Sequence, residues 1–277
     1  MCLRVSERVN ERPSVCKMIV NLRDCFAFFQ VSCMIEGSVI IQEMQESGEN
    51  SRKLEECMKI TYEDVKNSEV VKTYIRKADE SLIALGYTEH SFAHVSKVAQ
   101  TASHILTVMG YSEREAELAR IAGYLHDIGN VINRIDHAQS GAVMAFRILD
   151  NMGADPEDIA TVITAIGNHD EGTAYPVNAV AAALIIADKS DVRCSRVRNL
   201  DITSFDIHDR VNYSVKKSAL TVDPELAVIE LELIIDTTIC SVMDYFEIFL
   251  NRMILCKKAA EKLGLHFGLK INGQRVL

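Results

Sequence analysis

The stretch SEREAELARIAGYLHDIG, residues 112–129, decides how this chain is read. Ser112 followed three residues later by Glu115 has the form of a capping box, in which each side chain accepts from the other's backbone N–H at the start of a helix. Leu118, Ala119, Ala122 and Leu125 then recur at helical spacing and define one apolar stripe. His126 continues the stripe of Ala119 and Ala122, so the helix carries an imidazole into the interior at its end. Asp127 is the next residue, and Gly129 closes the segment.

Working outward, the same period of 3.6 recurs on both sides. One helix opens at Asp64 or Ser68 and runs to Leu85, with Gly86 as its stop; another, over about 88–110, carries His94, Val98, Ala102, Ile105 and Met109 on one face. Beyond the opening stretch, a helix over about 138–151 stops at Gly153. Asp155-Pro156 is an N-cap followed by proline at the first helical position, and it opens a helix that presents Ile159, Val162, Ile163 and Ile166. Asn178 caps a further helix expected over 179–195. After Asp201 the period changes to 2: Val211, Tyr213 and Val215 alternate, as do Ile229, Leu231, Leu233 and Ile235, with Asp223-Pro224 as a turn between them. A long helix is expected over 237–263, then a strand on Leu265, Phe267, Leu269 and Ile271. The expected fold is mainly α: a helical bundle over 58–199, then a small α+β domain over 200–277, an antiparallel sheet covered by one long helix. Residues 1–57 have two readings: an amphipathic helix, or a segment preceding the functional chain that is either a start-site artefact or a poorly structured extension.

Of 277 residues, 48% are apolar and 25% charged, which excludes a disordered chain and gives one large domain or two small ones. No uncharged run is long enough to span a bilayer. A formal charge of −9 argues against a protein whose main work is neutralising nucleic-acid phosphates. The eight cysteines form no CxxC pair, and no signal-peptide pattern precedes them, so free thiols in a reducing cytoplasm are expected.

Six of the eight histidines lie between His90 and His169. His94 leads an inward stripe, as does His126. Asp188 shares a stripe with Ala181, Leu184, Ile185 and Val192, and a carboxylate buried there must be neutralised, hydrogen-bonded or bound to a metal. Singly, each is explained as a hydrogen-bonded core residue. Three inward ionisable positions on three helices, one with an adjacent His-Asp, are not explained that way together.

In His94-Val-Ser-Lys-Val, His126-Asp127-Ile-Gly and Ala187-Asp188-Lys-Ser-Asp191, the chain resembles the HD superfamily of metal-dependent phosphohydrolases, in order, helical placement and spacing over about 87–192. The resemblance implies an all-helical HD bundle in which His94, His126, Asp127 and Asp188 hold one divalent ion, with Asp127 and His126 as the catalytic pair. His137 and His169 fit the superfamily's binuclear branch, where they would bind a second ion and Asp127 would bridge the two. The cyclic-dinucleotide branch carries a paired His-His and a Gly-Tyr-Pro; here Asn168-His169 and Ala174-Tyr175-Pro176 depart from it.

The implied activity is phosphomonoester or phosphodiester hydrolysis, by metal-activated water, of a small phosphorylated molecule or nucleotide. Imidazole and carboxylate donors suit Mn, Fe, Co, Ni, Zn or Mg, as one or two ions. Such an ion lowers the pKa of bound water from ~15.7 to around 7. Lys189, Arg193, Arg196 and Arg198 follow Asp188; Lys189 and Arg193 are the candidates for phosphate contact, or else a solvated basic helix end. His90 either hydrogen-bonds substrate or caps its helix. Asp191 either orients a ligand histidine or pairs with Arg193. Asp206, His208, Asp209 and Arg210 either close over the pocket or form a linker, and His104 and His266 read as surface. No nucleic-acid or membrane partner is expected; a homodimer through the last helix is. Two rival readings stand: a binuclear iron oxygenase on the same ligand set, and a ligand-binding regulatory module with a structural metal.

Overall fold

The structure, a computed structural model, describes residues 59–199 and 201–277. The expectations for 1–57 lie outside the described residues. Helix α1 (Tyr62–Asn67) opens at Thr61, which forms a capping box with Asp64. Ser68 then caps α2 (Glu69–Ala84). Ser91 caps α3 (Phe92–Val108), and the Ser112/Glu115 capping box opens α4 (Glu113–Leu125) as expected. A 3₁₀ turn (Ile128–Val131) leads to α5 (His137–Asn151), entered through Asp136 in the left-handed region at φ 57°. Asp155 and Pro156 start α6 (Pro156–Gly167), and Asn178 caps α7 (Ala179–Lys189).

Helix α7 is the centre of the helical part. Val180 to Ala187 are all buried, because α3, α4 and α6 pack around it. Two glycines set how closely its neighbours approach one another. A Cβ on Gly123 would stand 2.7 Å from the Ala99 Cα, so α3 and α4 cross backbone to backbone; a Cβ on Gly129 would stand 2.0 Å from the His137 carbonyl oxygen. Both contacts draw together the helix ends that carry the histidines.

The C-terminal part contains α8 (Ile207–Ser214), β1 (Val215–Asp223), β2 (Val228–Ile235), α9 (Val242–Lys262), β3 (His266–Ile271) and β4 (Gln274–Arg275). Three details differ from the sequence expectations. Val211 and Tyr213 lie in a helix rather than a strand: Asp206 caps it by accepting from the Asp209 N–H, and Val211 and Val215, four residues apart, are both buried by one helical turn. The sheet, in order β1-β2-β3-β4, is mixed rather than antiparallel. Its β2 and β3 pair in parallel because α9 crosses over between them, whereas the short turns give antiparallel pairs. Helix α7 ends at Lys189, six residues early, as the Ser190 hydroxyl donates to the Ala187 carbonyl.

Helix α9 packs against α7. Among the described residues no helix is long and apolar enough to cross a membrane. Cys194, Cys240 and Cys256 are free thiols; the other five cysteines lie outside the described residues.

Candidate metal centre

Four imidazoles from four helix ends line up as neighbours, His94 beside His126, His126 beside His169 and His169 beside His137. His94 sits in the first turn of α3, His126 follows α4, His137 opens α5, and His169 follows α6; all are buried. Each Nδ1 faces an oxygen: His94 that of Asp191 at 2.8 Å, His126 the Gly123 carbonyl at 2.8 Å, His137 the Arg134 carbonyl at 3.0 Å and His169 the Ile166 carbonyl at 2.6 Å. A carbonyl or carboxylate oxygen only accepts, so these Nδ1 atoms carry the hydrogen; the Nε2 atoms of His94 and His126 keep unpaired lone pairs, while that of His137 accepts from Arg134 Nη1 at 3.3 Å.

Into that centre project Asp127, from the turn after α4, and Asp188, from the last turn of α7. His94 Nε2 stands 3.3 Å from Asp188 Oδ1 and 3.6 Å from Asp127 Oδ2; His126 Nε2 stands 3.1 Å from Asp127 Oδ2 and 3.7 Å from Asp188 Oδ1. His137 Nε2 lies 3.5 Å from the other Asp127 oxygen, Oδ1. The atoms His94 Nε2, His126 Nε2 and Asp127 Oδ2 are buried without a hydrogen-bond partner. Lone pairs and carboxylate oxygens facing one another without donors are strongly unfavourable unless a cation joins them. Three overlapping triads have donor atoms within 4.8 Å of one another: His94, His126, Asp127; His126, His169, Asp188; and Asp127, His137, His169. All six residues singled out from the sequence meet here, and Asp127 offers its two oxygens to two different groups.

Charge is arranged to keep both carboxylates ionised. Burial opposes this, but His126 and its neighbours outweigh it at Asp127, and the Lys189 ammonium outweighs it at Asp188, holding both well below the usual carboxylate range. Burial, reinforced by nearby cationic groups, pushes His169 and His90 well below the ordinary imidazole value, and His137 is lowered too. Burial also works against a charged His126, but Asp127 and Asp188 more than offset it and its pKa is raised.

Beside the centre lies a cavity of about 460 Å³, lined by Tyr87, Thr88, His90, Arg134 and Arg196 and, from the C-terminal part, by Asp206, His208, Asp209, Asn212 and Arg252. His90 is at this wall, its Nδ1 on the Thr88 carbonyl; Ser91, not His90, caps α3. Asp191 lies behind His94 and also takes Lys97, at 2.8 Å, and Arg193. Lys189 lines the cavity while paired with Asp188 at 2.7 Å and Glu171 at 3.2 Å. Arg193 does not line it: the helix ends before Arg193, whose guanidinium turns to Asp191, Glu89 and Ser195. Arg210 is likewise absent from the lining, while His104 and His266 are exposed.

Sequence reasoning missed Arg134, Glu171 and Arg252. Arg134 stands 3.3 Å from His137 Nε2 and 4.0 Å from Asp127 Oδ1, and its place three residues before a candidate ligand was a usable signal. Glu171, two residues after His169, offered a similar one. Arg252 offered only a charge beside the apolar stripe of Phe249 and Met253.

Residues 91–203 match the HD domain family. This segment is an HD domain. It contains all six candidate ligands, with Tyr87, His90 and the C-terminal lining of the cavity contributed by residues outside it. An uncharacterized protein of Methanocaldococcus jannaschii is 25% identical over 192 residues, covering 61% of this chain and 74% of its own length. Among solved structures, a predicted HD superfamily hydrolase from an uncultured Thermotogales bacterium matches 44% of this chain and 67% of its own. It is 27% identical, with a TM-score of 0.35.

Proposed function

We propose that the chain is a metal-dependent phosphohydrolase, a phosphomonoesterase or phosphodiesterase, acting on a small phosphorylated molecule or nucleotide. The observation that carries this reading is the meeting of four buried imidazoles and two carboxylates in three overlapping triads beside a polar cavity. The donor set, nitrogen and oxygen without thiolate, fits one or two of Mn, Fe, Co, Ni, Zn or Mg. A divalent ion held there lowers the pKa of a coordinated water toward ~7 and polarises a phosphoryl oxygen.

The protein's own groups do the rest. Asp127, with an oxygen toward His94 and His126 and another toward His137, holds the two halves of the centre in one geometry. The lining carries four carboxylates, Asp127, Asp188, Asp206 and Asp209, against four cations, Arg134, Lys189, Arg196 and Arg252. Any bound divalent ion therefore makes the wall net positive, and an anionic substrate is favoured. Arg134 is placed to neutralise charge at the reacting centre, as phosphoryl transfer requires. His90, with Nδ1 donating to Thr88 and its pKa depressed, is neutral and presents an acceptor rather than an acid.

Elemental analysis of the purified protein, combined with phosphatase and phosphodiesterase substrate panels, tests this. Asp127→Ala is expected to abolish both metal binding and turnover. Retained hydrolysis in that variant would place the site elsewhere, and a wild-type protein that holds two irons and consumes oxygen without hydrolysing any phosphoester would overturn the reaction class.

A further inference from the structure

Arg252 enters the cavity from α9, outside the HD domain. Its Nε pairs with Glu171, and its guanidinium lies over the Phe249 ring at 4.5 Å. Glu171 also takes Lys189, which in turn neutralises Asp188. Alternating charges thus run Asp188, Lys189, Glu171, Arg252 from the metal centre to the C-terminal lining.

Along this chain Arg252 is the end member. Among the described residues its terminal nitrogens take no hydrogen bond, while the ion pair at Nε and the Phe249 ring hold the guanidinium from two sides. A pre-oriented guanidinium with free N–H groups in a cavity wall suits an oxyanion, since little rotamer freedom is left to lose on binding. Arg134 already serves the reacting centre. Glu171 and Lys189 stand between that centre and Arg252.

We propose that Arg252 is a specificity-determining residue that binds a second anionic group of the substrate, a phosphate or carboxylate separate from the phosphoryl group at the metal centre. The substrate class is then a phosphoester with two anionic ends, and α9, rather than the HD domain, selects it. This rests on the phosphohydrolase reading only in placing the first anion at the centre.

The test uses the full chain loaded with Mn and two probes that are not hydrolysed, propylphosphonate and propane-1,3-diphosphonate. Calorimetric binding should favour the diphosphonate in the wild type by roughly 10- to 100-fold, the range for charge-assisted hydrogen bonds. Arg252→Gln should collapse that preference to near unity. Glu171→Gln, which frees Arg252 without removing it, should keep or increase the preference; if it instead abolishes it as Arg252→Gln does, Arg252 is only a tie between α9 and the HD domain, and the proposal fails. Equal binding of the two probes by the wild type also overturns it, as does failure of both to bind. Retained preference with no turnover on any phosphoester sinks the phosphohydrolase reading alone.

Discussion

Asp191 shows how much a residue that touches no substrate can decide. Burial opposes its charge, but His94, Arg196 and Arg193 outweigh burial and hold its carboxyl far below the usual range, and it fixes His94 through Nδ1 while Lys97, Arg193 and Arg196 balance its charge. Groups hydrogen-bonded behind a ligand histidine set its tautomer and basicity. Asp191→Asn removes the charge and keeps the shape, so metal affinity should fall about 10- to 100-fold. A lowered melting temperature with unchanged affinity, measured by metal titration, would show Asp191 to be structural only. At this scale the sequence was informative wherever a side chain's role follows from its own helix. The inward stripes announced His94, His126 with its neighbour Asp127, and Asp188; His137 and His169 came from the resemblance to the binuclear HD branch. Lys189 was legible as a basic neighbour but not as the partner of both Asp188 and Glu171.

Elements carry the ligands only if they approach closely enough. Helices α3 and α4 cross at Gly123, where a Cβ would meet the Ala99 backbone at 2.7 Å, and this crossing places the His94 and His126 rings 5.3 Å apart. Backbone cannot yield as a flexible side-chain tip can. Gly123→Ala should therefore cost about 1–3 kcal/mol by overpacking and lower Tm by about 2–12 °C. It should also weaken metal binding as the two rings separate; an unchanged thermal melt would refute the argument. Element identity was mostly readable, because caps such as Ser112 with Glu115 and Asp155 with Pro156 act within one turn. The misreading at Val211 and Tyr213 has a plain cause. Three alternating apolar residues fit a strand, but Val211 and Val215 are also one helical turn apart, and the Asp206 cap decided between the two.

For the molecule as a whole, the HD domain is not self-sufficient in its packing. Helix α7 is buried nearly all round, and one of its sides is covered by α9. A chain ended after residue 203 would expose that side and lose the C-terminal lining of the cavity. Such a truncation should lack a cooperative melt and should not retain metal; a sharp transition with bound metal, read by calorimetry and elemental analysis, would contradict this. The C-terminal part also brings Asp206, His208, Asp209, Asn212 and Arg252 to the cavity, so it shapes what the centre can accept.

The chain's local chemistry determined most of the helices and their caps, because each depends on hydrogen bonds and apolar spacing within a few residues, and the resemblance of its His and Asp motifs to the HD superfamily singled out the six candidate ligands. Tertiary structure alone decided the rest. The parallel pairing of β2 with β3, the turn of Arg193 away from the cavity, and the meeting of Arg252 with Glu171 all depend on contacts between segments distant in sequence. So does the meeting of the four imidazoles with Asp127 and Asp188 in three overlapping triads: periodicity places a histidine on the inner face of its helix, but only the close approach at Gly123 and Gly129 brings those faces together.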